Sequence, residues 1–219
     1  MEIKKKHSQR SKAIILETAA NIIRESGLKS LKISLLAERS KLTRWTIYNH
    51  FGDLDGVKKE LYNRHDYLTV NLSKIVALAT QSTGAIQIEL IAHIITQHFD
   101  SLMKDALSRE FALAEFIGSD PVIAQMVSSR EQRMLKMIKA SNVANAGEQQ
   151  LPLAFLFPII LGGITYMAFQ YRVSGEATCF GVTCLQKEFK AKLQQFIEYL
   201  LKAAVNNTED SSEQQEMAG

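Results

Sequence analysis

Thr43-Arg44-Trp45-Thr46-Ile47-Tyr48-Asn49-His50-Phe51, followed by Gly52 and Asp53, is the stretch on which the reading of the whole chain turns. Thr43 carries a side-chain oxygen where a helix can begin, so it is expected as an N-cap, with the helix running to about His50. Phe51-Gly52-Asp53 breaks that pattern, and Asp53 can cap a longer helix over about 54–79. Upstream, Leu36 and Ala37 mark a short helix near 34–40, separated from Thr43 by Lys41 and Leu42. Further upstream, Ile15, Ala19, Ile22 and Ile23 recur at helical spacing between about Arg10 and Ser26, and Gly27 stops them.

Three helices in about fifty residues, the last two joined by a tight turn, form the helix-turn-helix layout. Its core is expected from Ile15, Ala19, Ile22, Leu36, Ala37, Leu42, Ile47 and Phe51. Such a core fixes the angle at which the last helix projects toward a major groove while the preceding one crosses the phosphates. Charge agrees: residues 1–66 hold 14 Lys and Arg against 8 Asp and Glu, within a chain whose net charge is only +3. A basic head on a slightly acidic body suits a polyanionic partner, although a solvated charged surface has the same composition.

Residues 10–61 resemble the N-terminal domain of the TetR family of bacterial regulators. Arg10, Ile15-Leu16, Ala19-Ala20 and Gly27 match its first helix, and Leu36-Ala37 match its Ile-Ala pair. Thr46-Ile47-Tyr48-Asn49-His50-Phe51 matches its Thr-Leu-Tyr-x-His-Phe signature. The chain departs from the pattern at Lys41, where the family usually has glycine. It departs also near Lys32, where a Ser or Thr cap is usual, and at Leu54, where a phosphate-touching Lys is common; Lys58 or Lys59 is the expected substitute.

The resemblance implies operator DNA as the partner and phosphate contacts from Tyr48 and His50. The chemistry of the remaining side chains supplies further expectations. Thr43 and Thr46 can reach phosphate or base edges, and Arg44 can pair bidentately with guanine. Trp45 can lie against a thymine methyl or a sugar, and Asn49 and Lys58 complete the expected DNA-binding set. Without DNA, Tyr48 and His50 would simply pack the turn.

The rest of the chain reads as a larger helical body, giving an all-α protein with a head at 1–53 opened by a flexible basic arm over 1–9. A domain for ligand binding and dimerisation is expected at 54–205 and a disordered acidic tail at 206–219. A helix over 85–104 turns Ile88, Ile91, Ile95, Phe99 and Leu102 inward and Glu89, His93, Asp100 and Lys104 outward. His98 falls on the inner side, as a satisfied core histidine or as a ligand contact. Asp120 and Pro121 open another helix over 121–140, where Arg130 has Met126, Val127 and Met134 as neighbours. Arg130 either snorkels to water or anchors an acidic effector. An adaptable apolar cavity is expected from His98, Phe99, Met103, Phe111, Phe116, Met126, Arg130, Met134 and Tyr166.

Residues 151–171 carry no charge and reach the length of a membrane span, but Pro152, Pro158, Gly162, Gly163, Thr165 and Gln170 favour a buried helix. A single-span membrane protein is therefore the alternative, and a protein without a membrane partner the expectation. Gly162 and Gly163 would let two backbones approach. Phe189, Leu193, Phe196 and Leu200 form a seam at helical spacing near 185–204. In the family, the last two helices of each subunit build the dimer interface, so these six residues are expected there. Two heads would then meet palindromic half-sites on double-stranded DNA about one helical turn apart. Cys179 and Cys184 make neither a disulfide framework nor a metal site, and with no signal-type leader place the chain in the cytoplasm. No metal, cofactor or catalytic constellation is expected: Walker loop, dinucleotide fingerprint and nucleophile elbow are all missing from the sequence. The implied function is a transcription repressor released from its operator by a small-molecule effector.

Overall fold

The computed structural model describes residues 2–71, 73–74, 85–140, 151–174, 178–179, 181–183 and 188–216. Helix α1 spans Glu2–Ser26, and a single 3-10 turn at Leu28–Ser30 leads to α2, Ile33–Ser40. Helices α3, Arg44–Phe51, and α4, Leu54–His65, follow. The chain is helical again at 67–71, and then in α5, Ala85–Lys104, α6, Ala106–Ile117, and α7, Pro121–Ala140. Helix α8, Leu151–Ser174, precedes a two-residue antiparallel hairpin, β1 Thr178–Cys179 with β2 Val182–Thr183, and α9 spans Phe189–Glu216. The all-α expectation holds apart from that hairpin.

Several boundaries differ from those read in the sequence. The expected basic arm at 1–9 is helical from Glu2, because the stretch lacks Gly and Pro and extends a helix already nucleated by its packed part. The expected long helix over 54–79 stops at His65: Asp66 adopts an extended conformation (φ −70°, ψ 113°) and its carboxylate accepts from the Thr69 amide at 2.8 Å. Residues 75–79 lie outside the described part. The expected tail at 206–219 is helical as far as Glu216, a continuation of α9 rather than an irregular end.

The chain divides into two compact units, residues 1–70 with 105–131 and residues 71–104 with 132–219. The first unit thus holds α4 and α6 together with the head expected at 1–53. The first unit closes around Ile15, Leu16, Ala19, Ile22, Ile23, Leu36, Ile47, Val57, Leu61, Tyr62, Leu107, Phe111 and Ile123. Of the expected core, Ala37, Leu42 and Phe51 are only partly buried at its edge. The Tyr62 and Phe111 rings meet edge to face at 5.5 Å, joining α4 to α6. In the second unit α5 packs against α8 and α9, with Phe99 5.3 Å from Phe189 between ring centroids. Among the described residues no helix is long and apolar enough to cross a membrane.

Candidate nucleic-acid interface

Helix α3 is set by local chemistry at both ends. Thr43 caps it, accepting from the Thr46 amide at 3.1 Å, while the two threonine hydroxyls lie 2.9 Å apart. The turn from α2 places Lys41 in the left-handed region, φ 57°, which is the conformation implied by the usual glycine there. At the far end Gly52 takes φ 79° and donates to the Tyr48 carbonyl at 2.8 Å. Asp53 then caps α4 by accepting from Gly56 at 2.7 Å. Gly56 lies in the first turn of α4, where a Cβ would stand 1.9 Å from the Phe51 carbonyl oxygen.

Ile47 is fully buried and turns the opposite face of α3 outward. Arg44, Trp45, Tyr48 and Asn49 are exposed, Trp45 to 73 %, and Thr46 and His50 are half-buried beside them. Trp45 is the most exposed of the large apolar side chains among the described residues. The His50 ring lies 6.2 Å from that of Phe51, at the foot of the helix. Lys58 does not join the set. Its ammonium lies 2.6 Å from Asp120, with little exposure, and Asp120 also receives the Val122 and Ile123 amides at 3.0 and 3.2 Å to start α7. Burial raises the Asp120 carboxyl, but Lys58 and those amides outweigh it and hold it below its ordinary value. Lys58, near the start of α4, therefore ties that helix to the start of α7 instead of standing free beside α3.

The residues expected to line an effector cavity are divided between the units. Phe111, Phe116, Met126 and Arg130 belong to the first, and His98, Phe99, Met103, Met134 and Tyr166 to the second. Phe111 is core, whereas Phe116 is 65 % exposed. His98 and Phe99 are buried on α5, while His93 faces water as expected. Arg130 neither snorkels nor offers a vacant anchor. Its Nη1 donates to Tyr62 Oη at 2.8 Å and to both Asp66 oxygens at 3.1 and 3.2 Å, and Nη2 donates to Glu115 at 2.6 Å. A buried cation needs this degree of pairing, and two carboxylates supply it from within the chain.

That network also perturbs its members. Burial pushes the Glu115 carboxyl above its ordinary value, and Arg130 offsets this only in part. Burial and then Asp66 drive the Tyr62 phenol far upward. Burial works against the Arg130 charge, yet Asp66 and Glu115 more than restore it. Beside it, Asp105 caps α6 through the Leu107 and Ser108 amides at 3.1 and 3.2 Å and lies 3.6 Å from His65 Nδ1. Burial raises its carboxyl, but His65, Ser108 and those amides hold it far below the usual carboxylate range. Sequence reasoning missed Asp66, Asp105 and Glu115, whose partners are remote in the chain.

Of the residues expected at a dimer seam, Phe189 and Leu193 are buried within the second unit, on the same face as Ile197 and Leu201. This places them in the core of that unit, against α5. Phe196 and Tyr199 occupy another face of α9 and are 58 % and 68 % exposed, with Leu200 half-buried. On α8, Ile159 and Tyr166 are exposed, and a Cβ on Gly162 or Gly163 would meet nothing within 4 Å.

No family model matches the chain, and no curated protein matches it. Among solved structures it is similar to a candidate TetR-family transcriptional regulator from Mesorhizobium loti MAFF303099, with a TM-score of 0.60 and 15% sequence identity over 91% of this chain and 96% of that one. The likeness runs over almost the whole length of both proteins, and the chain has the fold of that TetR-family structure.

Proposed function

We propose that the chain is a sequence-specific DNA-binding transcriptional regulator that acts as a homodimer, represses from a palindromic operator and is released by a small-molecule effector. The exposed row Arg44, Trp45, Tyr48 and Asn49 on a helix anchored by buried Ile47 is the observation that carries DNA binding. Arg44 reads a guanine edge and Trp45 a thymine methyl or sugar. Thr43, Thr46, Tyr48 and His50 bind phosphate near the two ends of the helix. The exposed apolar residues Phe196 and Tyr199 on α9, with the open side of Gly162 and Gly163 on α8, support a dimer through these helices. The effector shifts the population toward a form unable to span two half-sites, to the extent of its differential affinity.

Titration of operator and scrambled duplexes at several salt concentrations tests the reading. Arg44→Ala should cost about 1–3 kcal/mol on the operator and reduce the operator-to-scrambled ratio. Tyr48→Phe should weaken both duplexes alike and leave the salt slope close to that of wild type, because a phenol hydrogen bond neutralises no phosphate charge. A ratio untouched by Arg44→Ala removes the base-reading role. For the effector, compounds that raise the melting temperature without changing DNA affinity would count against release.

A further inference from the structure

Before Ala13 the chain carries five cations, Lys4, Lys5, Lys6, Arg10 and Lys12, against the single carboxylate of Glu2, and its only aliphatic residue is Ile3. All of this lies on α1, with Lys6, His7, Gln9 and Arg10 exposed. At 1.5 Å per residue the helix from Glu2 to Lys12 is about 15 Å long. The stripe of α1 that buries Ile15, Leu16, Ala19 and Ile22 passes, at helical spacing, through Lys12, Ser8 and Lys5. The core face thus turns polar and cationic at Lys12.

Lys12 marks where α1 reaches the edge of the head. Its ammonium lies 5.6 Å from the centroid of Phe51 and 3.3 Å from Glu60. Phe51 ends α3, next to His50 and one turn from Tyr48, the residues assigned above to phosphate. The cationic turns therefore start at the phosphate-binding end of the recognition helix. Like charges four apart, Lys6 and Arg10, weaken these first turns of α1. Polyphosphate removes that repulsion.

We propose that the first three turns of α1 are a second DNA contact, a cationic rod that follows the sugar–phosphate backbone beyond the segment bound by α3. The proposal rests on the DNA-binding reading above and adds a sequence-independent part to it: the rod raises affinity and footprint length but not discrimination.

The test compares wild type with the triple variant Lys4→Gln/Lys5→Gln/Lys6→Gln, which keeps good helix formers in place. A control, Lys104→Gln/Lys192→Gln/Lys202→Gln, removes the same charge from the second unit. The expected result is a fall of roughly 2–3 in the slope of log K against log salt, at about 0.9 per lost phosphate contact. Affinity falls by about tenfold or more on operator and scrambled duplexes alike near physiological salt, with their ratio unchanged. A slope equal to that of wild type, an equal loss in the control, or a changed ratio overturns the rod. Wild type that prefers no duplex sequence overturns the base-reading claim instead, while the slope comparison on the scrambled duplex still decides the rod. Wild type that binds no duplex overturns both.

Discussion

Gly56 has a role that its neighbours in sequence do not announce. With no Cβ it lets the first turn of α4 sit directly under the Phe51 carbonyl, and any side chain there forces the α3–α4 corner apart. Gly56→Ala should lower unfolding free energy by roughly 1–3 kcal/mol, read as a drop in melting temperature, with the loss of DNA binding following from the displaced α3. Lys41 is the opposite case. Its left-handed backbone costs a residue with a Cβ about 1–2 kcal/mol, and glycine gives back part of that through greater unfolded-state freedom. Lys41→Gly should therefore stabilise the head by about 0.5–1 kcal/mol in chemical denaturation. Trp45 separates binding from folding: being so exposed, Trp45→Ala should shift stability by no more than about 0.5 kcal/mol while altering DNA affinity.

At the scale of elements, the break at Asp66 and the start of α6 are governed by charges whose behaviour depends on pH. Glu115 has its folded-state value raised, so its ionisation opposes folding, and that penalty appears as pH rises through the raised value. The stability of Glu115→Gln relative to wild type should therefore rise with pH above about pH 4, measured by denaturation at each pH. Asp105 has a depressed value, so its contribution is present above the usual aspartate range and is lost as pH falls toward the depressed value. Asp105→Asn should be less stable than wild type by about 1–2 kcal/mol at neutral pH, with the gap closing in acid. These two elements also mark the limit of what the sequence alone makes legible. Helices α2, α3 and α7 are readable because their signals are local: an apolar period, Thr43 or Asp120 at the start, Gly52 at an end. Helix α6 opens on Asp105, whose partner His65 lies forty positions upstream, and Arg130 is satisfied by Asp66 and Glu115, sixty-four and fifteen positions away. Local periodicity carries no trace of such pairings. For the same reason Lys58 looks like a free cation in sequence and is paired with Asp120 in space.

For the whole molecule, the recognition segment was legible to the level of its cap and its exposed face, whereas the division of the body was not. A helix-turn-helix reads as a self-contained module of about fifty residues, but here Leu107, Phe111, Ala114 and Ile123 belong to the same core as Ile15 and Leu36. That bears on any transplant of the head to which DNA reading is assigned in the proposal. A fragment ending at residue 53, or even at 70, leaves those core partners behind and exposes the apolar faces of α1 and α4 that they cover. Such a fragment should show little cooperative unfolding, as followed by far-ultraviolet circular dichroism, and a chimera built on it should aggregate. A graft that retains its specificity has to carry 105–131 along with 1–70, two pieces of chain that are separate in the gene and single in the fold.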